Sequence, residues 1–146
     1  ESRSLILTGQ EGTWILGRWY GEKATCNMTQ VSLYADQSND TPEDIRMQGR
    51  VVHIAEGVWG FSACSIQCVD GVPMSLIERA TVDMDACVIG GSGATDDRLA
   101  RIGITIGDNC KMTMCKSTIT WNKQFGIVLG DNTIIDIKSC SILDNK

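Results

Sequence analysis

Glu78, Asp108 and Asp131 lie 30 and 23 residues apart, each just past an apolar run and each followed by Arg79, Asn109 or Asn132. Carboxylates stacked in this way could hold Ca²⁺, which takes about six to eight oxygen ligands. This column is the one metal candidate in the chain, and nothing in the sequence calls for another metal or a cofactor. Asp83 and Asp136 add carboxylates in an outward strand slot. Asp96-Asp97 lies in the glycine-rich stretch Gly90 to Arg98, where a solvated turn is the usual meaning of such a pair. His53, the single imidazole, takes the slot of Leu76, Ile106 and Leu129, which points inward; a one-residue slip would turn Val52 and Ile54 inward instead. It has no aligned serine or cysteine partner, so no catalytic residue is expected.

These alignments rest on a repeat. Gly103-Ile104-Thr105-Ile106-Gly107-Asp108-Asn109 is answered by Gly126-Ile127-Val128-Leu129-Gly130-Asp131-Asn132, and the two copies end in Asn122-Lys123 and Asn145-Lys146. Upstream, Met74, Val82, Met84 and Ile89 fall on Ile104, Met112, Met114 and Ile119 at an offset of 30, lengthened by the turn-rich insertion at 90–98. Trp59, Phe61, Cys64 and Ile66 precede Val82, Met84, Cys87 and Ile89 by 23. Such a period is too short for a two-helix repeat and indicates stacked turns of chain.

Within each copy, apolar residues alternate with polar ones: Ile104 and Ile106 against Gly103 and Thr105, Met112 and Met114 against Lys111 and Thr113. Period two means strands with one buried face. Polar corners separate them, with Gly and Asn supplying the positive φ of a sharp turn. The expected fold is all-β, with three short strands and three corners per coil of about 23 residues, paired in parallel from coil to coil about 4.8 Å apart.

The pattern Gly-Ile-x-Ile/Leu-Gly-Asp-Asn, then Cys/Ser-x-Ile, then Asn-Lys, carried by residues from about 51 to 146, resembles the right-handed parallel β-helix of the pectin-lyase-like class. It looks most like the short-repeat group of carbohydrate-binding and sugar-hydrolase domains and of F-box-associated β-helices. The resemblance implies a right-handed solenoid, in keeping with the handedness of parallel crossovers. In lyase members of that class an acidic column with a basic neighbour abstracts a sugar proton; here Arg79 is the one basic residue in the neighbouring slot. Hydrolase members use Asn-Thr-Asp, Asp-Asp, Gly-His-Gly and Arg-Ile-Lys motifs, of which this chain has only Asp96-Asp97.

The chain's 146 residues bound a single domain: irregular strands over 1–34, a projecting polar loop over 35–50, and regular coils over 51–146. The seven cysteines include Cys64, Cys87 and Cys140 in one corner slot that also holds Ser117. A slot alternating Cys and Ser wants a small, weakly polar side chain, and in-register neighbours one rung apart exceed the disulfide Cβ separation of about 3.5–4.5 Å. Free thiols favour a reducing compartment. The chain begins at Glu1 rather than Met, so residues missing upstream are expected and could include a targeting segment, which leaves the compartment open.

A net charge of −5 argues against a nucleic-acid partner, and no apolar run approaches the roughly 18 residues that span a bilayer. Two functions are expected from different classes. The first is a non-catalytic accessory subunit that binds other proteins through Asp36, Asp40, Glu43, Asp44 and Met47 of the loop and through Ile135, Ile137 and Ile142 of the last coil. The second is a module that binds or cleaves carbohydrate, with Trp14, Trp19 and Trp121 as candidate aromatic contacts; Trp14 and Trp19 are also suited to covering the end of the stack. Aromatic and carboxylate side chains converging on one groove would favour the second.

Overall fold

Trp59-Gly60-Phe61, Val82-Asp83-Met84, Met112-Thr113-Met114 and Ile135-Asp136-Ile137 each send two apolar side chains to one side of a strand. Parallel pairing in register then stacks them into apolar rows, and burying those rows is what drives the fold. The computed structural model describes residues 3–10, 14–16, 19–36 and 49–145. Among them the strands are β1 (Arg3–Thr8), β2 (Trp14–Leu16), β3 (Trp19–Thr29), β4 (Ser32–Asp36), β5 (Arg50–Ser62), β6 (Ser65–Val69), β7 (Val72–Ile77), β8 (Thr81–Asp85), β9 (Val88–Gly90), β10 (Ala100–Ile106), β11 (Lys111–Cys115), β12 (Thr118–Thr120), β13 (Asn122–Leu129), β14 (Ile134–Lys138) and β15 (Ser141–Leu143).

They form two parallel sheets. The larger has nine strands, with the path β13-β10-β7-β5-β8-β11-β14 and with β3 joining β1 to β5; the smaller runs β15-β12-β9-β6-β4-β2. Core rows cross them without interruption: Cys26, Trp59, Val82, Met112 and Ile135; Met28, Phe61, Met84, Met114 and Ile137; and, in the smaller sheet, Ile15, Leu33, Ile66, Ile89, Ile119 and Ile142.

The uniform right-handed β-helix solenoid of the pectin-lyase-like kind is corrected by this topology. Strands do not gather into three stacked faces; the larger sheet is a single curled half-barrel. The cause lies in β5. Its first half pairs with β7 and its second half with β8, so one bent strand carries the sheet around a corner. The bend is made by Glu56 at φ 62° and Gly57 at φ 104°, with Lys23 of β3 at φ 51° beneath it. Later copies turn instead at Glu78-Arg79, Asp108-Asn109 and Asp131-Asn132, where the strand breaks. The 23-residue offset survives as register: Ile104 pairs with Ile127, Met112 with Ile135 and Ile119 with Ile142.

A second correction concerns His53. Ile54, not His53, pairs with Leu76, and His53 pairs with Ser75. The one-residue slip is therefore the register that forms, because it gives Val52 and Ile54 to the core rows. His53 is nevertheless only 3% exposed, and its ring stacks on Tyr20 with centroids 5.6 Å apart.

The cysteine slot is a hydrogen-bonded corner ladder. The Cys64 thiol donates to the Ser62 carbonyl, the Cys87 thiol to Asp85, the Ser117 hydroxyl to Cys115 at 2.9 Å and the Cys140 thiol to Lys138. The Ser117 oxygen also accepts the Cys87 amide at 3.0 Å, and the Cys140 sulfur accepts the Ser117 amide at 3.4 Å. Each side chain thus satisfies backbone groups of its own corner and of the preceding coil, which is why Cys and Ser alternate there. Burial pushes up the Cys26 and Cys110 thiols. Cys87 is pushed up first by its hydrogen bond to Cys64 and then by burial.

The Asn-Lys endings of the repeat have a related purpose. Asn122 is fully buried, and its amide donates to the Thr120 carbonyl at 3.1 Å and to the Asn145 side chain at 2.6 Å. The repeated asparagine therefore ties these two copies of the repeat together from inside the corner.

Candidate functional site

In the smaller sheet, inward Ile15, Leu33 and Ile66 pin their neighbours outward by the alternation of a strand. Leu16, Tyr34 and Gln67 form one outer row, and Trp14, Ser32 and Ser65 the next. Over this face comes the turn-rich insertion at 90–98. Ser92 N donates to the Arg98 carbonyl at 2.8 Å and Arg98 N to the Thr95 carbonyl at 2.8 Å, closing the loop on itself. The Arg98 Nε donates to the Ser92 hydroxyl at 3.4 Å, and a Cβ at Gly93 would stand 3.1 Å from that Nε, so the guanidinium lies against the loop backbone.

The result is an open groove of about 580 Å³ walled by Trp14, Leu16, Tyr34, Gln67, Asp97 and Arg98, with Ser92 and Val69 at its margins. Trp14 is 51% exposed there, a large aromatic surface left in water at the sheet edge. Ring faces stack on apolar faces, while the amide of Gln67, the carboxylate of Asp97 and the guanidinium of Arg98 offer paired donors and acceptors. Flat aromatic surface beside bidentate polar groups suits a ligand with apolar ring faces and a rim of hydroxyls.

The outer face of the larger sheet carries a different groove, of about 350 Å³, where Asn27, Thr29, Ser62, Asp83, Asp85 and Thr113 meet. Asp83 and Asp136 do take the outward slot of their strands, in one row with Asn27, Gly60 and Thr113. The aromatic side chain beneath that groove, Phe61, is buried in the core. Polar groups are present there without an exposed stacking surface.

The acidic column is used differently from the Ca²⁺ reading. Asp108 accepts the backbone amide of Asp131 at 2.8 Å, so its carboxylate fastens one corner to the next. Among the described residues no group of three or more His, Cys, Asp or Glu side chains is gathered to hold a metal ion, so Glu78, Asp108 and Asp131 are not brought together as a cage. Nearby, Glu56 pairs with Lys23 at 3.9 Å and Arg79 at 3.8 Å, surface pairs that contribute little to stability.

Of the aromatic candidates, Trp14 enters the groove, Trp19 is half-buried against the core, and Trp121 sits half-buried at a corner with φ 59°. Asp36 ends β4; Asp40, Glu43, Asp44 and Met47 lie outside the described residues. Ile135, Ile137 and Ile142 stand on β14 and β15, which are edge strands of their sheets.

No family model matches the chain, and no curated protein matches it. Among solved structures it is similar to a provisionally assigned glycosyl hydrolase from Parabacteroides merdae. The identity is 12%, with a TM-score of 0.56 over 94% of this chain and 73% of that one. At that identity the likeness speaks to the arrangement of strands alone.

Tyr34, Gln67, Asp97 and Arg98 were not singled out from the sequence as a set, because they come from three separate segments. The signal that finds them is the alternation itself. Once Leu33 and Ile66 are placed inward, Tyr34 and Gln67 must share an outer row.

Proposed function

We propose that the protein binds carbohydrate through the groove on the smaller sheet. The observation that carries this reading is the convergence of half-exposed Trp14 and partly buried Tyr34 with Gln67, Asp97 and Arg98 on one open surface. An open groove suits a chain-like ligand that lies across strands, and no bond-breaking step is part of the proposal. Trp14→Ala removes the largest stacking surface while leaving inward Ile15 in place. It should weaken oligosaccharide binding by about tenfold or more in calorimetric titrations, the loss expected for an aromatic anchor. Trp121→Ala, at a corner outside the groove, should leave affinity unchanged. Equal losses in the two variants would reject the groove.

A second reading, an accessory subunit that binds protein, is supported by the edge strands of the last copy. Ile134 is 58% exposed and Ile142 50%, whereas their counterparts Lys111 and Ile119 are respectively a charged surface residue and fully buried. Apolar side chains beside unpaired strand edges are a common site for strand addition. Ile142→Lys should abolish co-purification of a partner while preserving the far-ultraviolet spectrum. Unchanged recovery of the partner would remove this reading.

A further inference from the structure

The last copy of the repeat keeps the inward pattern of the copies before it. Ile135 and Ile137 continue the rows of Met112 and Met114, and Ile142 continues the row of Ile119. Those rows stop there, because β14 and β15 carry a strand on one side only among the described residues. Ile137 is accordingly 40% exposed where Met114 is fully buried. At the opposite end the same rows begin with Leu5 and Leu7 of β1, which pair with Cys26 and Met28, and with Ile15 of β2, which pairs with Leu33. Among the described residues β1 and β2 likewise have a strand on one side only, and Leu5 is 45% exposed.

The backbones of the two ends are complementary as well. In a parallel ladder each residue directs its N–H and C=O to one side, and successive residues alternate. Ile134 N donates to the Cys110 carbonyl and so faces β11, which turns the amides and carbonyls of Ile135 and Ile137 to the open edge. Gly9 N donates to the Thr29 carbonyl and so faces β3, which turns those of Ser4, Ile6 and Thr8 to the open edge of β1. Setting Leu5 against Ile135 and Leu7 against Ile137 interleaves these groups in the register that already joins Met112 and Met114 to β14. The same step of one strand sets Ile15 on Ile142 and exposed Leu16 beside exposed Leu143. Like charges directly opposite would oppose the pairing, and none meet: Asp136 falls beside Ile6 and Lys138 beside Thr8.

We infer that the edge formed by β14 and β15 takes the β1 and β2 edge of a second copy of this chain, added head to tail with all strands parallel. The inference rests on the reading that the edge strands of the last copy bind protein, and it names that protein. Burying the matched aliphatic rows supplies affinity, and joining the two edges pairs their backbone groups. Leu5, Ile6, Leu16, Ile137, Ile142 and Leu143, together with both strand edges, bring the contact to about the 1,000 Å² that a specific interface needs. The two surfaces differ, so every copy added leaves one open end of each kind, and the assembly grows as a linear filament. Joining runs through strand edges, so the outer face of the smaller sheet and its groove stay accessible.

Sedimentation velocity of the full chain should show linear species that lengthen as concentration rises. Ile6→Pro removes an N–H from the open edge of β1 without touching the β1–β3 ladder. Ile137→Lys puts a charge where the next copy's Leu7 would stack. Each variant alone should sediment as a monomer at concentrations where the unmodified chain polymerises, with an unchanged far-ultraviolet spectrum. Mixed in equal amounts, the intact tail of the first meets the intact head of the second, so the mixture should give a one-to-one dimer and nothing longer. Leu5→Lys and Ile142→Lys take their places where either variant loses its fold. An unmodified chain that stays monomeric at every concentration, a dimer of the head variant alone (tail against tail), or a mixture that stays monomeric would each overturn the inference. Capture of a different protein that is lost in Ile142→Lys would then still support the protein-binding reading, so the two can fail separately.

Discussion

Ile106→Asp should unfold the protein or bring it to the edge of unfolding. Ile106 sits 2% exposed in a row with Ile54, Leu76 and Leu129, and no cationic side chain is part of that row. Placing an ionised carboxylate there without a partner costs several kcal/mol, against a total stability of about 5–15 kcal/mol for a typical domain. Thr105→Asp, one residue away on the outward side, should shift the melting temperature by only a few degrees. Thermal unfolding followed by circular dichroism separates the two variants. Equal shifts would contradict the register of β10 against β7 and β13.

Gly57→Ala should be nearly as damaging, for a backbone reason. Gly57 has φ 104°, which side-chain-bearing residues rarely adopt, and an added Cβ would lie 2.2 Å from the Ala24 carbonyl oxygen. That oxygen belongs to the paired strand β3 and cannot swing aside. Relieving the overlap means separating β3 from β5 at the bend that joins two halves of the larger sheet. A cost of about 3 kcal/mol or more is expected, corresponding to a fall in melting temperature of roughly 6–12 °C for a chain of this size. Val58→Ala, beside it but half exposed, serves as the control and should change little. A melting temperature for Gly57→Ala within two or so degrees of the unmodified chain would mean that the bend is not made as described.

These two positions also show what was legible in the sequence. Strand existence and coil-to-coil register follow from β-branched and methionine residues at period two, so Ile106 could be assigned to the core and Thr105 to the surface. The Cys/Ser slot and the closing asparagines are visible as repeats in the sequence alone. The bend at Glu56-Gly57 is not. It lies inside an otherwise continuous strand-like run, without the Asp-Asn pair that marks the corners at 108–109 and 131–132, so nothing in the sequence marks the joining of two faces into one half-barrel. For the same reason the sequence leaves two registers open at His53, since upstream of that bend no corner anchors them.

The groove was half legible. Trp14 stood out as an aromatic candidate, and Asp97 as half of a pair in a glycine-rich stretch. What could not be read was that the loop at 90–98 folds back over β4 and β6, because its course is fixed by backbone hydrogen bonds around Arg98 rather than by a side-chain pattern. The spacing of the acidic column is real, and in the fold its Asp108 carboxylate accepts the Asp131 amide and so fastens one corner to the next.

Carbohydrate is proposed to bind on the outer face of the smaller sheet. The most direct measurement is a backbone and side-chain chemical-shift map of the ¹⁵N-labelled chain titrated with a panel of neutral and acidic oligosaccharides. The groove predicts saturable shifts concentrated at the Trp14 indole, Tyr34, the Gln67 amide and residues 92–98, with Asn27, Asp83 and Thr113 unmoved. Shifts centred on Asn27, Asp83 and Thr113, or no saturable shift with any oligosaccharide in the panel, would contradict it.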